Sequence, residues 1–270
     1  MIDWMLNLRA IKGRAYPRAI GGLREPSWMF FDTVLPLLGI AAFIFYYRAL
    51  GAPPVYEGYV VIGGAMTAYW LNVLWSMATQ FYWEKETGNL ELYMMAPMSK
   101  MSVLAGMALG GMFLTSVRAI STIVLGLVLF QVQMSLSSPL LFILTFLITL
   151  IALYGMGMLF SSMYMLWGRG AWHLSNLFQE PIYLVSGFYF PVREMGFYVG
   201  LAASIIPITL GLDAMRQLLF GAQTVGLLPV EVEVAILSML AVFFIVAARY
   251  GLRHMEYLGK KEGRLTMRWQ

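Results

Sequence analysis

Apolar residues run in long blocks along this chain, and the polar positions between them mark where each block ends. A helix needs roughly 20 predominantly apolar residues to cross a bilayer. Six blocks approach that length, at 28–48, 58–82, 102–129, 139–167, 172–190 and 231–250, and each predicts a spanning helix. Residues 191–229 are apolar too, but Arg193, Glu194, Pro207, Asp213 and Arg216 interrupt them. Two short helices dipping in from one face fit that segment better than a seventh span. Residues 251–270 form a short polar tail.

The first 27 residues are mixed and cationic. On a helical wheel Trp4, Leu8, Ile11 and Ala15 share one face, with Asp3, Asn7 and Arg14 roughly opposite. That pattern predicts an amphipathic helix in the headgroup layer, broken at Tyr16-Pro17 and Gly21-Gly22 before the first span. A flexible basic tail is the alternative. Between the second and third blocks, Phe81 to Lys100 is the most charged interior stretch. Glu84, Lys85, Glu86 and Glu91 surround the turn pair Gly88-Asn89, and Pro97 blocks continuation of a helix. Residues 83–100 therefore read as a short, solvent-facing helical hairpin.

Composition supports a bilayer. The chain is 60% hydrophobic and 12% charged, against roughly 25% charged in soluble domains. It has no cysteine, which excludes disulfides, thiolate metal sites and thiol nucleophiles. The net charge of +4 matters less than its placement. With six spans and both termini inside, Arg9, Lys12, Arg14, Arg18, Arg24, Lys85, Lys100, Arg169, Arg249, Arg253, Lys260, Lys261, Arg264 and Arg268 fall on one side, and Arg48, Arg193 and Arg216 on the other. The positive-inside rule then places both termini and the hairpin in the cytoplasm and the interrupted segment outside. The expected fold is an all-α polytopic membrane protein, one transmembrane domain over 1–270 in the cytoplasmic membrane, with no soluble domain and no nucleic-acid partner.

Several chemistries fail on the residues. A phosphate-cradling loop needs Lys followed by Ser or Thr, whereas the five lysines precede Gly13, Glu86, Met101, Lys261 and Glu262. His173 and His254 lack a histidine one helical turn away, so no metal or haem site is expected. Ser186-Gly187 is similar to the serine motif of intramembrane proteases, but Leu184 stands where those enzymes carry glycine, and His173 falls near the other end of the same block. Asp32, Arg118 and Glu180 are intramembrane charges, and hence candidates for function. Arg118 must find a carboxylate, either Glu180 or Asp32, or water or a lipid headgroup; a packing pair and a substrate-path role are the two readings. Asp213 and Arg216 stand at i, i+3, the spacing of a local salt bridge. Asn72, Ser76 and Thr79 form one stripe of the second span, with Tyr69 and Gln80 nearby; it faces either another helix or a water-filled path.

Three motifs carry a resemblance. The first is Glu84-Lys85-Glu86-Thr87-Gly88-Asn89-Leu90-Glu91-Leu92 followed by Ala96-Pro97-Met98-Ser99, with Asn89 in place of the commoner Thr. The second is Pro181 with Ser186-Gly187-Phe188 and Phe190-Pro191-Val192. The third is Pro207-Ile208-Thr209 with Asp213-Ala214-Met215-Arg216, where Leu210 replaces a residue that is often polar. Together they make the chain resemble the permease subunits of type-2 ATP-binding cassette (ABC) transporters. The resemblance implies a non-enzymatic transport subunit that works with a separate ABC ATPase, which holds ATP and Mg, and with a second copy or a related permease. It implies that the hairpin is a coupling helix, with Glu84, Glu86, Gly88, Leu90 and Glu91 transmitting force and Pro97 setting the exit angle. Tyr69, Asn72, Tyr183 and Phe188 become the expected substrate path, and Pro191, Pro207, Asp213 and Arg216 the outer re-entrant region. An aromatic, weakly polar path suits amphipathic drugs or lipids, as in multidrug efflux. Export of polysaccharide or lipid-linked glycan is the alternative within the family, and a membrane enzyme or scaffold without an ATPase the alternative outside it.

Overall fold

The computed structural model describes residues 4–167 and 170–263. Asp3 of the helical wheel, and Arg169, Arg264 and Arg268 of the cationic side, lie outside the described residues. Among the described residues every regular element is helical. In order these are α1 (Trp4–Leu23), α2 (Pro26–Ala49), α3 (Val55–Leu71), a π-helical turn (Asn72–Met77), α4 (Gln80–Glu86), α5 (Asn89–Met95), α6 (Lys100–Phe130), α7 (Pro139–Trp167), α8 (Gly170–Val185), α9 (Phe197–Ala203), α10 (Pro207–Phe220) and α11 (Val230–Lys261), with short 3-10 turns at Val192–Met195 and Gly221–Gln223. Five helices are long and apolar enough to cross a membrane, or six if the bent pair α9 and α10 counts as one. The chain is a multi-pass membrane protein.

The stretch Val55–Glu86, comprising α3, the π turn and α4, is one 32-residue rod, and it is the centre of the molecule: 72% of its apolar window is buried, against 17% for α2 and 22% for α11. Tyr69, Trp70, Met77 and Phe81 on the rod share a core with Leu153 of α7 and Leu212 and Met215 of α10. The outer helices turn apolar side chains outward instead, among them Leu35 and Leu38 of α2, Val128 of α6 and Val242 of α11. For a bundle solvated by lipid, that inversion costs nothing.

Two expectations need correction. The block 172–190 is helical over less of its length than expected: α8 is 16 residues and stops at Val185, about 24 Å at 1.5 Å per residue, so a crossing there also needs the turn that follows to reach the roughly 30 Å of bilayer hydrocarbon. After it Ser186–Phe190 turns, with Gly187 at φ +65°. Nor is α1 broken at Pro17 or at Gly21-Gly22, since one helix runs to Leu23 with Pro17 inside it. Tertiary packing holds it. A Cβ on Gly106 would stand 2.6 Å from the Ile11 carbonyl oxygen, and one on Gly110 2.8 Å from that of Ala15. The small-residue pair at i, i+4 on α6 thus lets the two backbones touch, and α1 runs alongside α6.

The interrupted segment forms the two short helices expected of it. α9 and α10 meet at a bend of 118°, and nearly all of α10 is buried.

Candidate functional site

Two clusters occupy the two ends of the central rod. Glu84 lies 25 residues beyond Tyr59, so they are about 37 Å apart along the helix axis.

At the α1 end the rod passes directly into the acidic hairpin. The chain reverses at Thr87-Gly88, where Gly88 takes φ +79°, a left-handed conformation that a side chain would strain. Leu90 then plugs into the core, 1% exposed, which fixes α5 against the bundle. The inner flank of the rod carries Ser76, Gln80 and Glu84, and α1 binds it with two arginines. Arg14 forms an ion pair with Glu84 and stands over the Tyr93 ring of α5, 5.2 Å from its centroid. Arg18 donates to Gln80 Oε1 at 3.0 Å and to Ser76 Oγ. Gln80 Nε2 donates in turn to Glu84 Oε1 at 2.7 Å. Asn7 extends the seam, its Oδ1 accepting from the Ser99 main-chain N–H at 2.9 Å and from the Ser102 hydroxyl at 3.1 Å. Burial pulls the Arg18 guanidinium below its usual pKa. Burial and the neighbouring Glu84 push the Tyr93 hydroxyl up to about 12, although Arg14 opposes them.

The polar face of α1 is the one that meets the bundle. Asn7 and Arg14 are half-buried, with hydrogen-bonding partners at the start of α6 and on the rod respectively, and Trp4 and Leu8 are exposed. Of the six hairpin residues implied by the resemblance, Glu84 and Leu90 are turned into the molecule, Glu86 and Gly88 are half-buried, and Glu91 and Pro97 are exposed. Leu92 and Met95 join the exposed face of α5. The sequence reading did not single out Arg14 or Arg18; their i, i+4 spacing, matching Gln80 and Glu84 on the rod, was the available signal.

At the other end, Arg216 of α10 is 1% exposed, and the local salt bridge expected with Asp213 does not form. Its guanidinium donates to four main-chain carbonyls: Gly187 at 2.7 Å, Phe188 at 2.8 Å, Tyr59 at 3.0 Å and Phe190 at 3.2 Å. It also lies 5.0 Å from the Tyr59 ring centroid. Three of those carbonyls belong to the irregular turn after α8, where no helical N–H reaches them; one planar fork of donors satisfies them. Asp213 faces elsewhere and accepts from the Leu227 N–H at 2.6 Å. Pro207 opens α10 and Pro191 precedes the 3-10 turn. The rod approaches the turn at Gly63, where a Cβ would overlap the Phe188 carbonyl and sit 2.9 Å from Arg216 Nη2.

The remaining candidates lie between these ends. Arg118 pairs with Asp32, at 2.6 Å, and not with Glu180, which is exposed on α8 and accepts from Gln179 Nε2 at 3.0 Å. Three of the four expected path residues are packed against partners within the chain, and Tyr183 stands against one of them. The Tyr69 hydroxyl donates to Ser116 Oγ of α6 at 2.8 Å, Asn72 Oδ1 accepts from the Tyr154 hydroxyl of α7 at 2.9 Å, and Phe188 is buried against Tyr183, ring centroids 5.2 Å apart. The polar stripe of the rod thus serves helix contact within the subunit; Thr79 bonds its own helix at the Trp75 carbonyl, 2.7 Å away. His173 and Ser186 stand at opposite ends of α8, about 20 Å apart along the axis, beyond the reach of a base and its nucleophile. Among the described residues no three His, Cys, Asp or Glu side chains group as metal ligands.

The arrangement is that of a helical membrane protein with a buried central rod that leads into a short hairpin exposed on its outer face. The family model of the ABC-2 type transporter matches residues 23–220, and the chain belongs to that family: it is the membrane permease subunit of an ABC transporter. Such permeases generally work with an ABC ATPase subunit. No curated protein matches the chain.

Proposed function

We propose that this permease drives export of amphipathic small molecules or lipids across the cytoplasmic membrane, in a dimer with a second copy or a related permease, when a partner ATPase hydrolyses Mg-bound ATP. The α4–α5 hairpin is its coupling helix, with both termini on the same, cytoplasmic side. The observation that carries this reading is the construction of the hairpin. Its outer face presents Glu91, Leu92, Met95 and Pro97 to a partner, while Leu90 and the Arg14–Glu84 pair tie its inner face to the central rod. A push on α5 is therefore delivered to the rod and is not lost in a soft loop. Support for a second subunit comes from α8, whose His173, Asn176, Leu177, Glu180 and Leu184 form one exposed stripe. A carboxylate on a lipid-facing helix is costly, and a facing subunit would cover it. Alternating access then requires that the two subunits contact each other differently in the ATP-bound and ATP-free states.

The test is co-purification with the ATPase and measurement of ATP turnover and transport in proteoliposomes. Replacing Glu86 and Glu91 by Ala is expected to leave insertion intact and to uncouple turnover from transport. Transport unchanged in that variant would remove the hairpin from the mechanism. Turnover stimulated by lipid-linked glycan and not by amphipathic drugs would move the substrate assignment to glycan export.

A further inference from the structure

A cleft of about 660 Å³ opens at the α1 end between α1, the segment entering α6 and the last turns of α11. Leu8 and Ile11 of α1 line it with apolar surface, and Ile245, Arg249 and Arg253 of α11 line it from another side. Neither the coupling hairpin's outer face nor the Arg216 cage includes these α11 residues.

Its charges do not balance internally. Glu256, the one carboxylate in the lining, is already held by Lys100 at 3.0 Å and Lys260 at 2.7 Å. Arg249 and Arg253 are exposed, and among the described residues neither forms an ion pair. They stand at i, i+4 on one face of α11, about 6 Å apart along the axis. Two unpaired guanidiniums at that spacing can close on one phosphodiester, since each offers a planar fork of donors to its oxygens.

Position along α11 selects the kind of phosphate. Counting from Val230, Arg249 lies about 28 Å up the helix, close to the thickness of the hydrocarbon layer. Below it the exposed face of α11 is apolar through Val242, Phe243, Ile245 and Val246. One continuous face thus passes from lipid-exposed apolar residues to paired cations at the depth where headgroups begin. We infer that this cleft is a binding site for one anionic phospholipid of the surrounding bilayer, its phosphate between Arg249 and Arg253 and its acyl chains along Ile245 and Val242. The bound lipid joins α1 to α11 and is independent of what the transporter carries.

The probe is the full chain extracted from liposomes of equal phosphatidylglycerol and phosphatidylcholine, with retained lipids counted by native mass spectrometry. Wild type should retain phosphatidylglycerol preferentially. R249Q/R253Q should lose roughly tenfold of that preference, and R249K/R253K should fall between the two, since an ammonium keeps the attraction to an anionic headgroup but lacks the planar fork. Wild type alone supplies a second reading that needs no variant: the preference should shrink as salt rises. Equal retention of both lipids by wild type, or an unchanged preference in R249Q/R253Q, overturns the inference. So does displacement of the lipid by millimolar inorganic phosphate, which would mean that the site reads phosphate alone. Loss of the co-purifying ATPase in R249Q/R253Q with lipid retention unchanged would assign the cations to a protein contact instead.

Discussion

Arginine is used in two different ways at the two ends of this molecule. At the α10 end Arg216 is wholly buried and bonded to main-chain carbonyls, so it holds the chain in a shape that no side-chain movement can release. At the α1 end Arg14 and Arg18 meet side chains of another helix, and Arg14 remains 29% exposed. A carboxylate and an amide can change partners; a carbonyl cage cannot without unfolding its turn. The first arrangement fixes a frame and the second joins parts that can shift against each other.

The largest expected effect follows from emptying the cage. Arg216→Met strands several buried carbonyls and should destabilise by about 3–5 kcal/mol, the scale of breaking a buried charged network, read as early thermal aggregation in detergent. Arg216→Lys should rescue little, because an ammonium lacks the planar fork. Gly63→Ala attacks the same end by overpacking and should cost about 1–3 kcal/mol, again in thermal unfolding; a cost near zero would show that the turn yields. At the other end, a double-mutant cycle of Arg14→Ala and Glu84→Ala should give a coupling of about 1–2 kcal/mol. Limited proteolysis should then find α1 cut sooner while the rest of the bundle stays folded. If α1 and the bundle are lost together, the contrast between frame and joint fails. The smallest effect belongs to Arg48→Ala, which removes a pair with Glu57 at 2.6 Å whose arginine is 46% exposed; such surface pairs contribute little, and the melting curve should barely move.

Much of this was legible in the chain because the bilayer imposes a length. Five of the six apolar blocks mark helices that include or closely match them, and the segment around Pro207 and Asp213 reads correctly as two short helices. The end of α8 was not legible, since the carbonyls freed at Gly187 and Phe188 are satisfied by a residue 28–29 positions later, and local propensity carries no trace of that distance. The Asp213–Arg216 spacing misled for the same reason: a one-turn ion pair is the nearest partner but not the best one when four carbonyls wait nearby. On α1 the wheel separates the two faces but carries no information on what Asn7 and Arg14 meet. The stripe on the rod was read, with helix contact as one of its two faces; its match to Arg14 and Arg18 required both helices to be in place. Of the hairpin, its existence and its turn at Gly88 followed from residue types, whereas the inward aim of Glu84 followed from Arg14.

The single π turn at Asn72–Met77, where the Ala78 N–H reaches back five residues to the Val73 carbonyl at 2.8 Å, controls the aim of everything beyond it. In an unbroken α-helix each four-residue step overshoots a full turn by about 40°, so Asn72, Ser76, Gln80 and Glu84 would wander about 120° around the axis. One wider turn takes back part of that drift and keeps the four along a flank that α7 and α1 can cover. Excising one residue there would swivel Glu84 by about 100°, away from Arg14, and swing α5 and its outer face to a new bearing.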